Sequence, residues 1–273
     1  MNIIVYDANA LFARSYYAGQ SISSDPREAI RLSLNTVLML LDPYSDKLGV
    51  PIDRTLFAWD GQQNPDKGRE PKPRVYHDTK AVLMDMLAFM LGTVNVEHPT
   101  AEGDDIVATA VRQAGPDDVV YIVSSDKDLM QLVGPRCHYY SLTDKCVLQP
   151  SFILNKFHGI KRPSHVALEL AIVGDPVDNI QGVHKFGKVK CKKLFEAVTK
   201  DMPFEAAMNA LTTQMTPEQQ EQFFVALDRT LLKMDVEGVP EPAPLKLPAP
   251  CEIEAFDMSD VERNYRMVYR AYR

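Results

Sequence analysis

Nine acidic residues recur where a chain of alternating strands and helices would set them side by side: Asp7, Asp60, Glu102, Asp104, Asp105, Asp126, Asp128, Asp175 and Asp178. Asp7 closes the apolar run IIVY, Asp60 follows LFAW, and Asp126 and Asp128 follow VVYIVSS. Glu102, Asp104 and Asp105 open a helical pattern that runs on from Ile106, and Asp175 and Asp178 lie in GDPVDNI. One acid at a helix start is ordinary, because it complements the helix dipole. Nine carboxylates converging on one sheet edge would repel severely, at about 4 kcal/mol for two unit charges 4 Å apart and an effective dielectric near 20. Such a cluster must take up protons or bind cations. Ligands that are all oxygen select Mg²⁺ or Mn²⁺ over zinc. Two such ions about 4 Å apart suit phosphodiester hydrolysis: one lowers the pKa of an attacking water, the other stabilises the departing oxygen. No serine, cysteine or histidine nucleophile is required.

The elements that must position these acids can be read from periodicity. Short apolar strands are predicted at 2–6, 54–58, 93–97, 119–123 and 136–140, with helical patterns at 28–41, 79–91 and 103–114 between them. Strands alternating with helices imply an α/β fold with a mainly parallel central sheet flanked by helices. In open sheets of that kind ligands sit beyond the carboxyl ends of the strands, where these acids fall. From about 151 the texture changes to short helices and loops. The expected organisation is therefore an α/β core over residues 1–160 and a helical region over 161–273. TPEQ at 216–219 and SDVE at 259–262 both fit the capping box that starts a helix. Between them, residues 239–250 hold five prolines, so that segment is expected as an extended surface strap outside any central sheet. The tail carries Tyr265, Val268 and Tyr272 at helix spacing and reads as core.

Other chemistries are set aside by composition. The four cysteines, Cys137, Cys146, Cys191 and Cys251, show no CxxC spacing, and reduced thiols are expected rather than zinc. There is no apolar run near the ~20 residues a membrane span needs, and the first residues lack the regions of a secretory signal. A cytoplasmic location follows as an expectation. Net charge is −7, but neutralising the nine acids with cations leaves +2 for the rest, compatible with nucleic acid. A haloacid-dehalogenase-type phosphatase needs a second Asp two residues after the first, where Asn9 stands.

Five segments, in order along roughly residues 1–200, resemble the flap-endonuclease/5′–3′ exonuclease family of bacterial and phage 5′-nucleases, including the 5′-nuclease domain of DNA polymerase I. They are DANALFARSYYA from Asp7, FAWD ending at Asp60, AEGDD ending at Asp105, SDKDLMQL from Ser125, and GDPVDNIQGV with FGK from Gly174. The resemblance implies a PIN-like 5′-nuclease core, and Asp7, Asp60, Glu102 and Asp104 serving a first Mg²⁺. Asp126, Asp128, Asp175 and Asp178 would serve a second, with Asp105 nearby and Arg14 beside the active site. It further implies a helix–three-turn–helix at about 170–198, where the family often holds a K⁺ through backbone carbonyls. In this sequence GVHKFGKVKCKK, from Gly182, has five lysines and no acid. Gly182, Val183, Lys185, Gly187, Lys188, Lys190 and Lys192 are the DNA-binding candidates there, by backbone amides and counterion release.

The family also places an arch in the region of 61–91, through or under which a free 5′ end passes. Lys67 is the nearest match to its phosphate-contacting lysine, although Asp66 stands where an aromatic is usual. Arg69, Lys72 and Arg74 are candidate phosphate clamps, and Tyr76 a candidate stacking residue. The resemblance implies a monomer acting on a DNA 5′ flap, 5′ end or nicked or gapped duplex, with an RNA–DNA hybrid as a further substrate. The chain looks like a stand-alone enzyme of a bacterial cell or phage-infected host. Two rivals stay open at this point. One is a PIN-type ribonuclease and the other a DNA-junction binder without catalysis.

Overall fold

The computed structural model describes residues 1–61, 72–247 and 259–272. Five strands form the parallel heart of one sheet: β1 (Asn2–Asp7), β2 (Arg54–Trp59), β3 (Val94–Glu97), β4 (Val119–Ser124) and β5 (Cys137–Ser141). Their spatial order is β3-β2-β1-β4-β5. The chain therefore steps outward from β1 to β3 and then returns to lay β4 on the other side of β1. That reversal between β1 and β4 is the switch point at which an open α/β sheet makes a crevice. Asp7 ends β1, and Asp126 follows β4 by two residues.

Each strand alternates its side chains between two apolar clusters. Ile3, Val5, Leu56, Ala58, Val120 and Ile122 face one side, where they pack with α4 (Gly103–Gln113) and with α5 (Pro150–Lys156), α6 (Val166–Val173), α7 (Lys188–Leu194), α8 (Phe204–Thr212) and α9 (Pro217–Thr230). Ile4, Tyr6, Phe57, Trp59 and Val123 face the other, against α1 (Ala8–Ile22), α2 (Arg27–Leu41), α3 (Arg74–Leu91) and α10 (Ser259–Ala271). The helices from 150 to 230 thus share one core with the sheet, which fixes loops of the C-terminal half against the strand ends.

Several features differ from the periodicity reading. Helix α1 was not among the predicted elements, although Asp7 caps it by accepting from Ala10 N at 3.0 Å, and Leu11, Phe12, Tyr16 and Gly19 form its buried stripe. Helix α3 begins at Arg74, five residues before the expected start at 79, with Leu83, Met86, Leu87 and Met90 buried, and residues 62–71 of the expected arch region lie outside the described residues. The Pro-rich strap does join the sheet: β9 (Ala243–Pro244) pairs antiparallel with Arg54 and Thr55 of β2. It lies beside the start of β2, before β3 comes alongside at Leu56, an edge lane where a missing proline N–H is harmless. Strand β6 (Cys146–Leu148) adds an antiparallel edge, and β7 (Gly174–Asp175) and β8 (Ile180–Gln181) close a small hairpin around the loop bearing Asp178. The tail helix is core as expected, with Tyr265 and Val268 buried and Tyr272 hydroxyl meeting Ile52 N. The capping box at Thr216 forms in full.

Candidate metal centre

The first set of acids is fixed by strand ends and helix starts. Asp7 is buried, with Oδ1 capping α1 and Oδ2 accepting from the Ser124 hydroxyl of the neighbouring strand. Ser124 Oγ in turn accepts from Asp126 N at 2.8 Å, so one hydroxyl ties the ends of β1 and β4 together. Asp60 Oδ1 accepts from Gly103 N at 2.8 Å, which pins the start of α4 to the end of β2. A Cβ at Gly103 would stand 3.2 Å from that oxygen, a tight contact that the Asp60 side chain would have to yield to. Glu102 precedes α4 in extended conformation, and Asp104 and Asp105 fill its first turn, where carboxylates suit the helix dipole. Asp7, Asp60, Glu102, Asp104 and Asp126 line one pocket of about 470 Å³, together with Lys72, His77 and Lys80.

The second set is carried by loops. Asp128 opens a 3₁₀ turn over Asp128–Leu132, and its N–H donates to Asp126 Oδ1 at 2.9 Å. Asp175 sits on β7 and Asp178 in the hairpin loop, and one carboxylate oxygen from each of Asp128, Asp175 and Asp178 lies within 4.8 Å of the others. Asp128 and Asp178 line a second pocket of about 290 Å³ whose wall again includes Glu102 and Asp104. The two pockets therefore adjoin through one helix start; eight of the nine acids line them, and the ninth, Asp175, joins through its closeness to Asp128 and Asp178. Asp105 also lines the second pocket, but its Oδ1 accepts from Lys233 N at 2.8 Å and holds the chain beyond α9.

Two of these carboxylates, Asp7 and Asp128, are pushed toward their neutral forms. Burial, against the help of Ser124 and Ala10 and with the added charges of Asp126 and Asp60, pushes Asp7 up to about 7. Burial and then Asp126, Asp178 and Asp175 push Asp128 up to about 8, with Lys127 relieving part of it. Lys127 Nζ lies 2.8 Å from Asp175 Oδ2. Burial pulls that ammonium down, but the Asp175 contact and the Asp128 and Asp126 charges outweigh it and leave it raised. Asp126 acts on both Asp7 and Asp128, so it stands between the two sets rather than wholly in the second. The buried Asp128 Oδ1 has no hydrogen-bond partner among the described residues. An unmet buried oxygen in an all-oxygen set suits a hard divalent cation.

The remaining sequence candidates divide. Arg14 is exposed and lines a separate groove with Leu11, Lys47, Tyr140 and Lys145, away from both acidic pockets. Lys72 edges the first pocket, donating to Tyr17 hydroxyl at 2.7 Å, while Arg74 pairs with Asp78 on the outside of α3. Tyr76 is mostly buried between Phe12 and Tyr16, with both ring centroids 4.8 Å away, and it also lines the first pocket. Lys67 and Arg69 lie outside the described residues. Lys185, Gly187, Lys188, Lys190 and Lys192 are exposed on the turn and α7. Gly182 is needed for packing, since a Cβ would stand 2.4 Å from Val173 C. Val183 is buried with its N–H bonded to Ile172 O, and it offers the exterior neither side chain nor amide.

Sequence reasoning missed Ser124, Lys127, Lys80 and Arg229. Lys80 lines the first pocket beside Glu97 and over the Trp59 ring, and its place four residues after Tyr76 could have signalled it. Nothing in the spacing pointed to Arg229, which lies 51 residues from its partner Asp178.

Residues 2–158 match the family model for the 5′-3′ exonuclease, N-terminal resolvase-like domain. The thermostable DNA polymerase I of Thermus aquaticus is 26% identical over 251 residues, covering 90% of this chain and 29% of that protein. The chain thus spans less than a third of that relative's length. A protein named 5′-3′ exonuclease from Buchnera aphidicola subsp. Schizaphis graminum is 26% identical over 261 residues, covering 86% and 87%. The bacteriophage T5 flap endonuclease, solved as a pseudo-enzyme-product complex with DNA and metal ions, superposes over 99% of both chains at a TM-score of 0.64 and 15% identity.

Proposed function

Because the chain belongs to the 5′–3′ exonuclease family, we propose that it is a structure-specific 5′-nuclease. It would hydrolyse DNA at a 5′ flap, 5′ end, nick or gap and leave 5′-phosphate and 3′-hydroxyl ends. The observation that carries this reading is the meeting of Asp7, Asp60, Glu102, Asp104, Asp126, Asp128, Asp175 and Asp178 around two pockets that share one helix start. The supporting precedent is the relative named 5′-3′ exonuclease and the phage flap endonuclease held with DNA and metal ions.

In this reading the first pocket takes one Mg²⁺ and the Asp128, Asp175 and Asp178 group takes another, with Mn²⁺ as a substitute. When bound, such ions activate water and stabilise the leaving oxygen. The chain's own residues do the rest. Ser124 and Gly103 N keep Asp7 and Asp60 aimed into the crevice. The raised affinity of Asp7 and Asp128 for protons makes ion entry a proton-releasing step. Lys80 and Lys72, on the α3 side of the first pocket, are placed to meet a phosphate. Lys185, Lys188, Lys190 and Lys192 would hold the duplex through its backbone, with no base readout.

No helix among the described residues is long and apolar enough to cross a membrane. The test is one labelled 5′-flap duplex with Mg²⁺ or with EDTA, beside a matched single-stranded RNA. Junction cleavage that needs Mg²⁺ is expected. Undiminished cleavage in EDTA, or a preference for the RNA, would sink the proposal.

A further inference from the structure

Two loops carry Asp128, Asp175 and Asp178, and their mutual repulsion works against the ordering such loops require. We infer that the end of α9 and the chain just beyond it, residues 229–233, is the brace that holds this second set, with Arg229 as its positioning residue. The inference rests on the reading of these acids as metal ligands.

The brace grips every segment that bears one of the nearby acids. Arg229 donates through NH1 to Asn179 O and through NH2 to Asp178 O, both at 3.1 Å. Asn179 is in the left-handed region at φ 53°, and the planar fork clamps the two carbonyls on either side of that bend. Thr230 O accepts from Gln131 Nε2 at 3.1 Å, and the same amide donates to Asp128 O at 2.9 Å. Thr230 Oγ1 donates to Ala167 O of α6, the helix that leads into β7. Lys233 N donates to Asp105 at the start of α4. Three acid-bearing segments far apart in sequence are thus referred to one five-residue stretch that supplies no ligand of its own. Both terminal nitrogens of Arg229 are engaged by carbonyls, which favours positioning over a direct phosphate contact.

Partners that orient ligands typically matter by about 10- to 100-fold in metal affinity. The experiment is Mn²⁺ binding to the DNA-free protein, read from the resonance of free Mn²⁺, for wild type, Arg229→Ala and Arg229→Lys. In Arg229→Ala the weaker of two Mn²⁺ sites should lose about 10- to 100-fold in affinity while the tighter one holds. The Mg²⁺ needed for half-maximal flap cleavage should rise by a similar factor, with turnover recovering at saturating metal. Arg229→Lys keeps the charge but cannot span both carbonyls, and it should fall between. Wild-type affinity at both sites in both variants would overturn the brace. So would a defect confined to flap binding in Ca²⁺, which would mark a phosphate contact. Equal weakening of both sites with melting lowered by more than about 10 °C would mark a global role instead. A wild-type protein that binds no second Mn²⁺ would overturn the metal reading beneath it.

Discussion

Asp7 and Asp60 sit at the ends of neighbouring strands, whereas Asp128, Asp175 and Asp178 sit on loops, and the two groups are held by different means. The strand-end pair is set by a parallel ladder whose register places Asp7 beside Ala58, and by bonds to Ala10 N, Ser124 and Gly103 N. The loop trio depends on a hairpin whose strands are two residues each, a 3₁₀ turn and contacts from α9. A sheet edge gives carboxylates fixed positions as a consequence of folding. A loop gives them closeness only while something outside it bears the repulsion. The strand-end half of the centre should therefore behave as rigid and the loop half as the part that responds to packing, metal and pH.

The sharpest break is Asp126→Ala, because Asp126 stands between the halves. Cleavage of a 5′ flap should fall by well over the ~100-fold typical of outer-shell losses. Flap binding in Ca²⁺ should stay near wild type, and active enzyme in this variant would remove Asp126 from the centre. A second contrast compares two glycines. Gly182→Ala forces a Cβ to within 2.4 Å of Val173 C and 2.6 Å of Gly174 N, so the β7–β8 hairpin must move. Gly103→Ala meets only a side-chain oxygen at 3.2 Å. Gly182→Ala should lose about 10- to 100-fold in activity at limiting Mg²⁺, and more than Gly103→Ala. The reverse order in a metal titration would invert the comparison.

Smaller effects sharpen it. Ser124→Ala removes the hydroxyl link between the ends of β1 and β4 and leaves Asp7 Oδ2 without that donor, and about tenfold lower turnover is expected in steady-state assays. An unchanged turnover would show that the strands alone suffice. Last is pH. The folded protein holds Asp7 and Asp128 protonated up to about 7 and 8, against an unfolded value near 3.8. Between about pH 4 and 8 the native state then binds more protons than the unfolded one, so this contribution to stability declines as pH rises. The melting temperature in EDTA should drop by a few degrees from pH 5 to 8, and Mg²⁺ should restore it most at pH 8. Asp128→Asn should flatten the decline. An equal decline in that variant would put the repulsion elsewhere.

The sequence made the strand-end half legible. Apolar runs of strand length, with helical patterns between them, pointed to the parallel sheet and to acids gathered beyond its strand ends, and the fold sets such acids around two adjoining pockets. Local patterns also located the Thr216 cap and the buried face of the tail helix. They were less secure where one residue type serves two ends. Tyr76 reads equally as a stacking ring or a core ring, and only the fold packs it between Phe12 and Tyr16. The prolines of the strap argue against a sheet, yet an edge lane beside β2 tolerates them.

What the fold alone decided is how the loop carboxylates are kept together. Arg229, Thr230 and Lys233 reach Asp178, Asp128 (through Gln131) and Asp105 across separations of 51 to 128 residues. Periodicity and capping are local signals that decay within a few turns of chain, so they carry the strands, the helices and the acids at their ends. A contact between distant segments is set by how helices pack on a shared core, and that is fixed only when the whole chain has closed around it.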